Sequence, residues 1–199
     1  MTDPKTNSIL DEGNRLFLQG NFEQAINYYD KILDDDPKHV SSLNNKGYAL
    51  SKLKDFTNAM KCYDAALKIS PDDLSVLINK ISSFRKQGNL VEALMICDNI
   101  LKNNKNYNIV LYHKERILFS MKKFDESISC CNSILEDYPN NGDVLFDKAS
   151  SFAMLSNFDD ALNLLEHAIS QGIQYKIKAK KSKSFENLSN NARFQNLIS

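Results

Sequence analysis

The sequence has little that would mark a membrane protein, a secreted protein or a strongly charged one. None of its apolar runs approaches the roughly 20 residues of a membrane-spanning helix. Its start, MTDPKTNS, has neither the basic segment nor the apolar core of a secretory signal. Its 25 basic and 25 acidic side chains cancel, so no whole-protein field attracts nucleic acid or a membrane. We therefore predict a cytoplasmic protein without membrane contact.

Residue patterns that carry chemistry are also missing. The four cysteines have neither metal-site nor disulfide spacing, and the three histidines are far apart. There is no glycine-rich phosphate loop, H-E-x-x-H or Cys-x-x-Cys. We predict that the protein is not an enzyme, has no catalytic residue, metal or cofactor, and takes no small-molecule substrate. The cysteines Cys97 and Cys131 are predicted to fill the core, as free cysteines often do.

What the sequence does have is a repeat of 34 residues. Four columns of the repeat stand out. The first is small in most repeats, the second is alanine except for one serine, the third is tyrosine in the first two repeats, and the fourth is proline in three repeats. These columns are Gly13, Gly47, Ile81, Glu115 and Ala149; Ala25, Ala59, Ala93, Ser127 and Ala161; Tyr29, Tyr63, Cys97, Cys131 and Leu165; and Pro37, Pro71, Lys105, Pro139 and Ile173. A fixed period of this length is typical of stacked helix pairs, because one pair cannot bury its apolar stripe alone.

These columns resemble the tetratricopeptide repeat, which has the same period and the same residue pattern. The resemblance implies an all-α fold, a right-handed α-solenoid of helix-turn-helix units whose first helices line a concave groove that usually binds peptides. We predict a frayed segment at 1–5, a C-terminal capping helix within 176–199, and five repeats between them. The repeats are 6–39, 40–73, 74–107, 108–141 and 142–175.

Two local features of the repeats give further predictions. Asn21 is expected to cap the helix that follows it, with Gln24 three residues on as in a capping box, and Asn89 with Glu92 repeats this spacing. In the fourth repeat, Glu115 occupies the small-residue position and Ser127 faces it. Because an unpaired buried carboxylate is costly, either Glu115 reaches the Ser127 hydroxyl or its helix turns it toward solvent. We favour the solvent-facing arrangement.

The candidate binding residues lie on the first helix of each unit, where polar side chains follow one another along columns. Side-chain amides can pair with a peptide backbone, and aromatic residues can anchor a ligand. The residues predicted to bind a peptide or partner protein in the groove are Asp11, Asn14, Asn45, Tyr48, Asn79, Arg85, Tyr112, His113, Arg116, Phe119, Phe146 and Asp147. The predicted function is a non-enzymatic scaffold or adaptor.

Some tetratricopeptide proteins hold acidic chaperone tails in a clamp of amide and cationic side chains. Asn14 and Asn45 match the amides of that clamp, but Leu10, Ser75 and Asn79 stand at its cationic positions, so this mode is not expected.

Two alternatives to groove binding remain open. Residues 1–39 carry a net charge of −4 and residues 176–199 a net charge of +5, so the protein could associate weakly through the ends of the array. Less favoured is nucleic-acid contact through the C-terminal lysine cluster, because no aromatic stacking platform accompanies those lysines. That cluster consists of Lys176, Lys178, Lys180, Lys181 and Lys183.

Overall fold

The computed structural model describes residues 4–103 and 107–199, and every regular element within those ranges is helical. The α-helices are α1 (Pro4–Leu18), α2 (Phe22–Asp35), α3 (Val40–Lys52), α4 (Phe56–Ile69), α5 (Leu74–Gln87), α6 (Leu90–Asn103), α7 (Asn108–Ser120), α8 (Phe124–Asp137), α9 (Gly142–Met154), α10 (Phe158–Gln171), α11 (Gln174–Lys181) and α12 (Ala192–Ile198). A 3-10 helix, Lys183–Leu188, separates α11 from α12. The predicted all-α repeat of paired helices is confirmed.

The chain forms two compact units, Met1–Ile96 and Cys97–Ser199. The first unit contains α1 to α5 and the second contains α7 to α12. In the first unit α1 packs on α2 and α3 packs on α4, while α3 also packs against α2 and α5. In the second unit α7 packs on α8 and α9 packs on both α8 and α10. Each unit therefore builds its core from antiparallel helix pairs and their neighbours.

The corner after the first helix of each repeat has one backbone geometry. A residue with φ between 61° and 90° recurs at the 34-residue period, at Gly20, Lys54, Gly88, Lys122 and Ser156. The next residue donates its backbone N–H to a carbonyl five residues back, as Asn21 does to Leu16 at 3.0 Å. Gly20 also donates its backbone N–H to the carbonyl of Phe17, three residues back, at 3.0 Å. The two bonds together form a Schellman ending, which satisfies helix carbonyls that would otherwise be unpaired. The corner is thus set by backbone bonds.

The side-chain caps only partly follow the sequence prediction. Asn21 makes no side-chain cap, so the capping box predicted with Gln24 is wrong. In the equivalent position Asp55 Oδ1 does accept from the Asn58 backbone N–H at 3.2 Å.

The helix α1 begins at Pro4, whose missing N–H costs nothing in a first turn. Pro4 and Lys5 are therefore helical, although the segment 1–5 was predicted to be frayed. Residues 1–3 and Lys105 lie outside the described ranges.

The core of the first unit depends on glycine facing tyrosine. A Cβ added at Gly13 would lie 2.7 Å from Tyr29 Cε1, and one added at Gly47 would lie 2.8 Å from Tyr63 Cε1. Both tyrosine rings are buried, and their burial raises the pKa of the Tyr29 phenol to about 12. The small residue on the first helix therefore makes room for a large ring on the second helix.

In the second unit a buried acid, Glu115, occupies the small-residue position. Glu115 is 2% exposed, and its Oε1 accepts a hydrogen bond from Ser127 Oγ at 3.0 Å. The Ser127 hydroxyl also lies 3.1 Å from Ser151 Oγ. The favoured expectation that Glu115 would face solvent is wrong. The alternative was correct, because the hydroxyl that replaces the usual alanine gives the carboxylate a hydrogen-bond donor.

The C-terminal segment covers the apolar end of α9 and α10. Tyr175, Ala179, Phe185, Leu188 and Phe194 are buried in one cluster with residues of those helices. The Phe185 ring lies 5.6 Å from Phe146 and 5.8 Å from Phe194, centroid to centroid. The predicted cap is therefore present, although it consists of two short α-helices and a 3-10 helix where one capping helix was expected.

Candidate functional site

The predicted binding residues fall on the first helices of the repeats and divide between the two units. In the first unit they lie on α1, α3 and α5: Asp11, Asn14, Asn45, Tyr48, Asn79 and Arg85. In the second unit they lie on α7 and α9: Tyr112, His113, Arg116, Phe119, Phe146 and Asp147. The apolar stripe of each first helix packs against its partner helices. The polar columns therefore lie on a different face of the same helix.

Amide side chains in the first unit are linked from helix to helix. Asn45 Nδ2 donates to Asn14 Oδ1 at 2.8 Å, and the Tyr29 hydroxyl donates to the same oxygen at 3.0 Å. Asn79 Nδ2 donates to Asn44 Oδ1 at 3.0 Å. Asn45 and Asn79 therefore belong to two separate pairs. Sequence reasoning did not select Asn44 as a site residue.

A pocket of about 300 Å³ opens beside the first amide pair. It is lined by Asn14, Phe17, Leu18, Tyr29, Asn45 and Tyr48. The Phe17 and Tyr48 rings lie 5.0 Å apart, centroid to centroid, and Leu18 is 84% exposed. This combination of an apolar wall with a few polar groups is typical of a site that takes an apolar side chain and orients it by hydrogen bonds.

Two lysines lie near the ring that forms one wall of this pocket. Lys52 Nζ is 5.2 Å and Lys86 Nζ is 5.8 Å from the centroid of Tyr48. Both distances are within the range of a cation–π contact. The pKa of Lys86 is held below its usual value by burial and then by the neighbouring positive charges of Lys52 and Arg85. Positive charge is thus concentrated at this end of α3 and α5.

The face of α7 and α9 in the second unit has a different polar arrangement. Arg116 Nη1 donates to the Tyr112 hydroxyl at 2.6 Å and lies 3.8 Å from Asp147 Oδ2. Burial raises the pKa of Asp147 to about 6, and the nearby Arg116 guanidinium only partly offsets this effect. Arg116 was predicted to bind a ligand, and its guanidinium already contacts two groups of its own unit.

The remaining predicted residues lie in varied surroundings. Asp11 is exposed, whereas Arg85 and His113 are half-buried. The Phe119 ring packs against Phe124 at 5.3 Å. Phe146 is only 8% exposed and belongs to the core under the C-terminal cap, so the structure places it away from the groove position assigned to it. Its column becomes a core column in the last repeat because the cap covers it.

The described residues offer little for metal or thiol chemistry. All four cysteines are buried and free, and burial raises the pKa of the Cys97 thiol to about 12 and that of Cys130 to about 11. Such thiols are protonated at neutral pH and therefore poor nucleophiles. Within 4–103 and 107–199, no group of three or more His, Cys, Asp or Glu side chains could hold a metal ion. No helix in these ranges is long and apolar enough to span a bilayer.

Comparison with known proteins agrees with the helix pairs and columns described above. Residues 10–73 match the family model described as tetratricopeptide repeat. A tetratricopeptide repeat protein from Parabacteroides merdae superposes on 98% of the chain with a TM-score of 0.82 and 17% identity, and 78% of that protein is covered. Residues 10–73 thus belong to the tetratricopeptide repeat family, and the chain as a whole shares the fold of tetratricopeptide repeat structures.

Two further solved structures share the tetratricopeptide fold. YrrB, described as a TPR protein with an unusual peptide-binding site, matches 87% of this chain and 91% of its own with a TM-score of 0.67 and 20% identity. A MamA structure matches 89% of this chain and 95% of its own with a TM-score of 0.70 and 18% identity. No curated protein matches by sequence. Proteins of this repeat family typically serve as interaction scaffolds and are generally non-catalytic.

Proposed function

We propose that this tetratricopeptide repeat protein is a non-enzymatic scaffold that binds a segment of a partner protein across α1, α3 and α5 of its first unit. The observation that carries the proposal is the pocket formed by Phe17, Leu18 and Tyr48 beside the Asn14–Asn45 amide pair. It offers an apolar anchor site and a hydrogen-bonding edge at one place. One similar structure, YrrB, is itself described as having a peptide-binding site, which supports the proposal by analogy.

The amide pair has hydrogen-bonding capacity to spare. Asn45 uses one of its two side-chain N–H donors in the hydrogen bond to Asn14. Its second N–H and its side-chain carbonyl, which has two lone pairs, can pair with a ligand. Packed helices lie about 8–10 Å apart, and an extended peptide advances about 3.3 Å per residue. A peptide that crosses α1, α3 and α5 would therefore present roughly every third residue to an equivalent position. We expect an aromatic or large aliphatic side chain of the ligand to enter the pocket.

In the second unit we propose that the face of α7 and α9 makes additional polar contacts to a partner. Arg116 and Asp147 supply both signs of charge there, and His113 lies on the same helix as Arg116. The contacts of Arg116 with Tyr112 and Asp147 hold the guanidinium in place, which lowers the entropy lost when a ligand binds.

Selection from a phage-displayed library of random peptides tests the proposal on the full chain. We expect enriched peptides with a recurring large apolar residue and an affinity near micromolar. Tyr48→Ala should weaken the selected peptides about tenfold or more, because aromatic anchors dominate such interfaces. The matched control is Tyr138→Ala, since Tyr138 is an exposed tyrosine of the second unit. Equal affinity for wild type and Tyr48→Ala, with unchanged melting temperature, would refute the proposal.

A further inference from the structure

The lysine pair at Tyr48 is not explained by packing or by ion pairing. Lys52 lies one turn after Tyr48 on α3, and Lys86 reaches the same ring from α5. Among the described residues, neither ammonium has a carboxylate within ion-pair distance. Other lysines of the unit do have one: Lys46 with Asp30 at 2.5 Å and Lys80 with Asp64 at 2.6 Å.

The two lysines belong to a single column of the repeat. Leu18, Lys52 and Lys86 are spaced by 34 residues, at or near the ends of α1, α3 and α5. The column therefore presents an exposed apolar side chain followed by two cations on successive first helices. Tyr48 joins the two parts, because its ring lines the apolar pocket and also lies close to both ammonium groups.

Bringing two ammonium groups to one ring without a counter-charge is unfavourable for the unliganded protein. Each Nζ is within 6 Å of the Tyr48 centroid, and the charge of Lys52 disfavours the charged form of Lys86. The pKa of Lys86 is lowered first by partial burial and then by the positive charges of Lys52 and Arg85. A ligand carboxylate placed between the ammonium groups would remove the repulsion and gain attraction to both, which is electrostatic complementarity in the sense used for interfaces.

We infer that the partner segment carries an acidic residue directly after its apolar anchor: the anchor enters the Phe17–Leu18–Tyr48 pocket, and the carboxylate is held between Lys52 and Lys86. The inference rests on the proposed function and specifies the ligand. This site differs from the chaperone-tail clamp of other family members, whose cationic positions are taken here by Leu10, Ser75 and Asn79. The lysines that act here lie at the C-terminal ends of α3 and α5.

Fluorescence anisotropy with defined peptides tests the inference on the full chain. The probes are short fluorescein-labelled peptides in a glycine–serine background, in which one phenylalanine is followed by two glutamates, two glutamines or two lysines. We expect the glutamate peptide to bind about fivefold to tenfold more tightly than the glutamine peptide, a typical effect of two partly exposed ion pairs. The lysine peptide should bind most weakly. The glutamate preference should shrink as salt is raised, because exposed ion pairs are screened.

Two charge-matched double variants locate the effect. Lys52→Gln/Lys86→Gln should abolish the preference for glutamate over glutamine. Lys31→Gln/Lys38→Gln removes the same charge from the same unit, and Lys31 also lies over a tyrosine, Tyr28, at 4.4 Å. This control should keep the preference. All four lysines have exposed or half-exposed side chains, so both variants are expected to fold, and circular dichroism checks that they do.

The possible contrary results separate the inference from the function on which it rests. Equal binding of the glutamate and glutamine peptides, with both lost in Tyr48→Ala, overturns the acidic preference and leaves the peptide site in place. A glutamate preference that survives Lys52→Gln/Lys86→Gln also overturns the inference. Binding of neither peptide overturns it as well, and the library selection then decides the function independently.

Discussion

The first-helix packing of the two units differs at one column, and the difference shows what the repeat requires there. In the first unit, Gly13 and Gly47 leave space that the rings of Tyr29 and Tyr63 fill. In the second unit, Glu115 takes the small-residue position and is buried with a hydrogen bond from Ser127. At the column of the tyrosines the same repeat has the smaller Cys131. The combined size and polarity of the facing residues thus matter more than the identity of either one.

The largest expected effect comes from breaking this complementarity in the first unit. Gly47→Ile should destabilise the protein by about 3 kcal/mol or more, since overpacking costs about 1–3 kcal/mol and the Tyr63 ring lies against the site. Adding Tyr63→Cys copies the Ile81 and Cys97 residues of the third repeat and should recover part of the loss. Urea denaturation measures both. Losses that simply add, instead of offsetting each other, would show that the two columns do not share one space.

A smaller effect is expected from removing the donor in the second unit. Ser127→Ala should cost about 1–3 kcal/mol, because it takes a hydrogen bond from the buried Glu115 carboxylate. The control is Ser129→Ala, whose hydroxyl donates to the Asp125 carbonyl on an exposed face and should contribute little. The midpoint of urea unfolding at neutral pH is the readout. Equal stability of the two variants would contradict the structural role given to Ser127.

The repeats and the cap could be predicted from sequence, whereas the side-chain partners could not. Gly47, Ala59 and Tyr63 each belong to a column that recurs every 34 residues, and such a periodic pattern indicates which faces of the helices are buried. The burial of Glu115 depended on whether the Ser127 hydroxyl points toward it, and periodicity gives no such information. Phe146 has the same column position as groove residues, but the three-dimensional placement of the cap decides its burial.

The proposed binding pocket shows the same limit of sequence analysis. Tyr48, Asn14 and Asn45 were predicted as binding residues because polar and aromatic residues on first helices stand out against an apolar pattern. Lys52 and Lys86 were not selected because single lysines at helix ends are common on protein surfaces. Their shared 34-residue spacing with Leu18 was a signal, but only the short distances to one ring give it a meaning.

The two aspartates of α9, Asp143 and Asp147, should change the stability of the protein with pH in opposite directions. The pKa of Asp147 is raised to about 6 by burial, so the folded state binds its proton more tightly than the unfolded chain does. This stabilising contribution is fully present below the unfolded pKa and is lost as the pH rises through about 6. Asp147→Asn should therefore gain stability relative to wild type between about pH 4 and pH 7, by at most about 3 kcal/mol.

Asp143 supplies the comparison for Asp147. Its carboxylate accepts a hydrogen bond from Lys178 Nζ at 2.6 Å, which lowers its pKa. Its contribution to stability is present above the unfolded pKa and is lost in acid, so Asp143→Asn should lose stability relative to wild type as the pH rises from acid to neutral. Thermal melts across this pH range test both variants. Parallel pH profiles for the two would contradict the difference in their surroundings.

The smallest expected effect concerns the corners, where the two units again differ in residue type but share a backbone. Gly20 and Gly88 adopt positive φ without strain, whereas Lys54, Lys122 and Ser156 hold φ values of 64°, 61° and 61° at a cost. Replacing each of these three residues by glycine should stabilise the protein by about 0.5–1 kcal/mol, because glycine is the preferred residue at this position of a Schellman ending.

The reverse tests are Gly20→Ala and Gly88→Ala, which should lower the stability. A Cβ at either glycine would meet nothing within 4 Å, so any loss must come from the backbone conformation alone. If thermal melts show that Lys122→Gly and Lys54→Gly leave stability unchanged while Gly88→Ala lowers it, side-chain contacts of the lysines must offset the backbone cost. The lysine corners, one in each unit, and the glycine corners of the first unit would then be stabilised by different means.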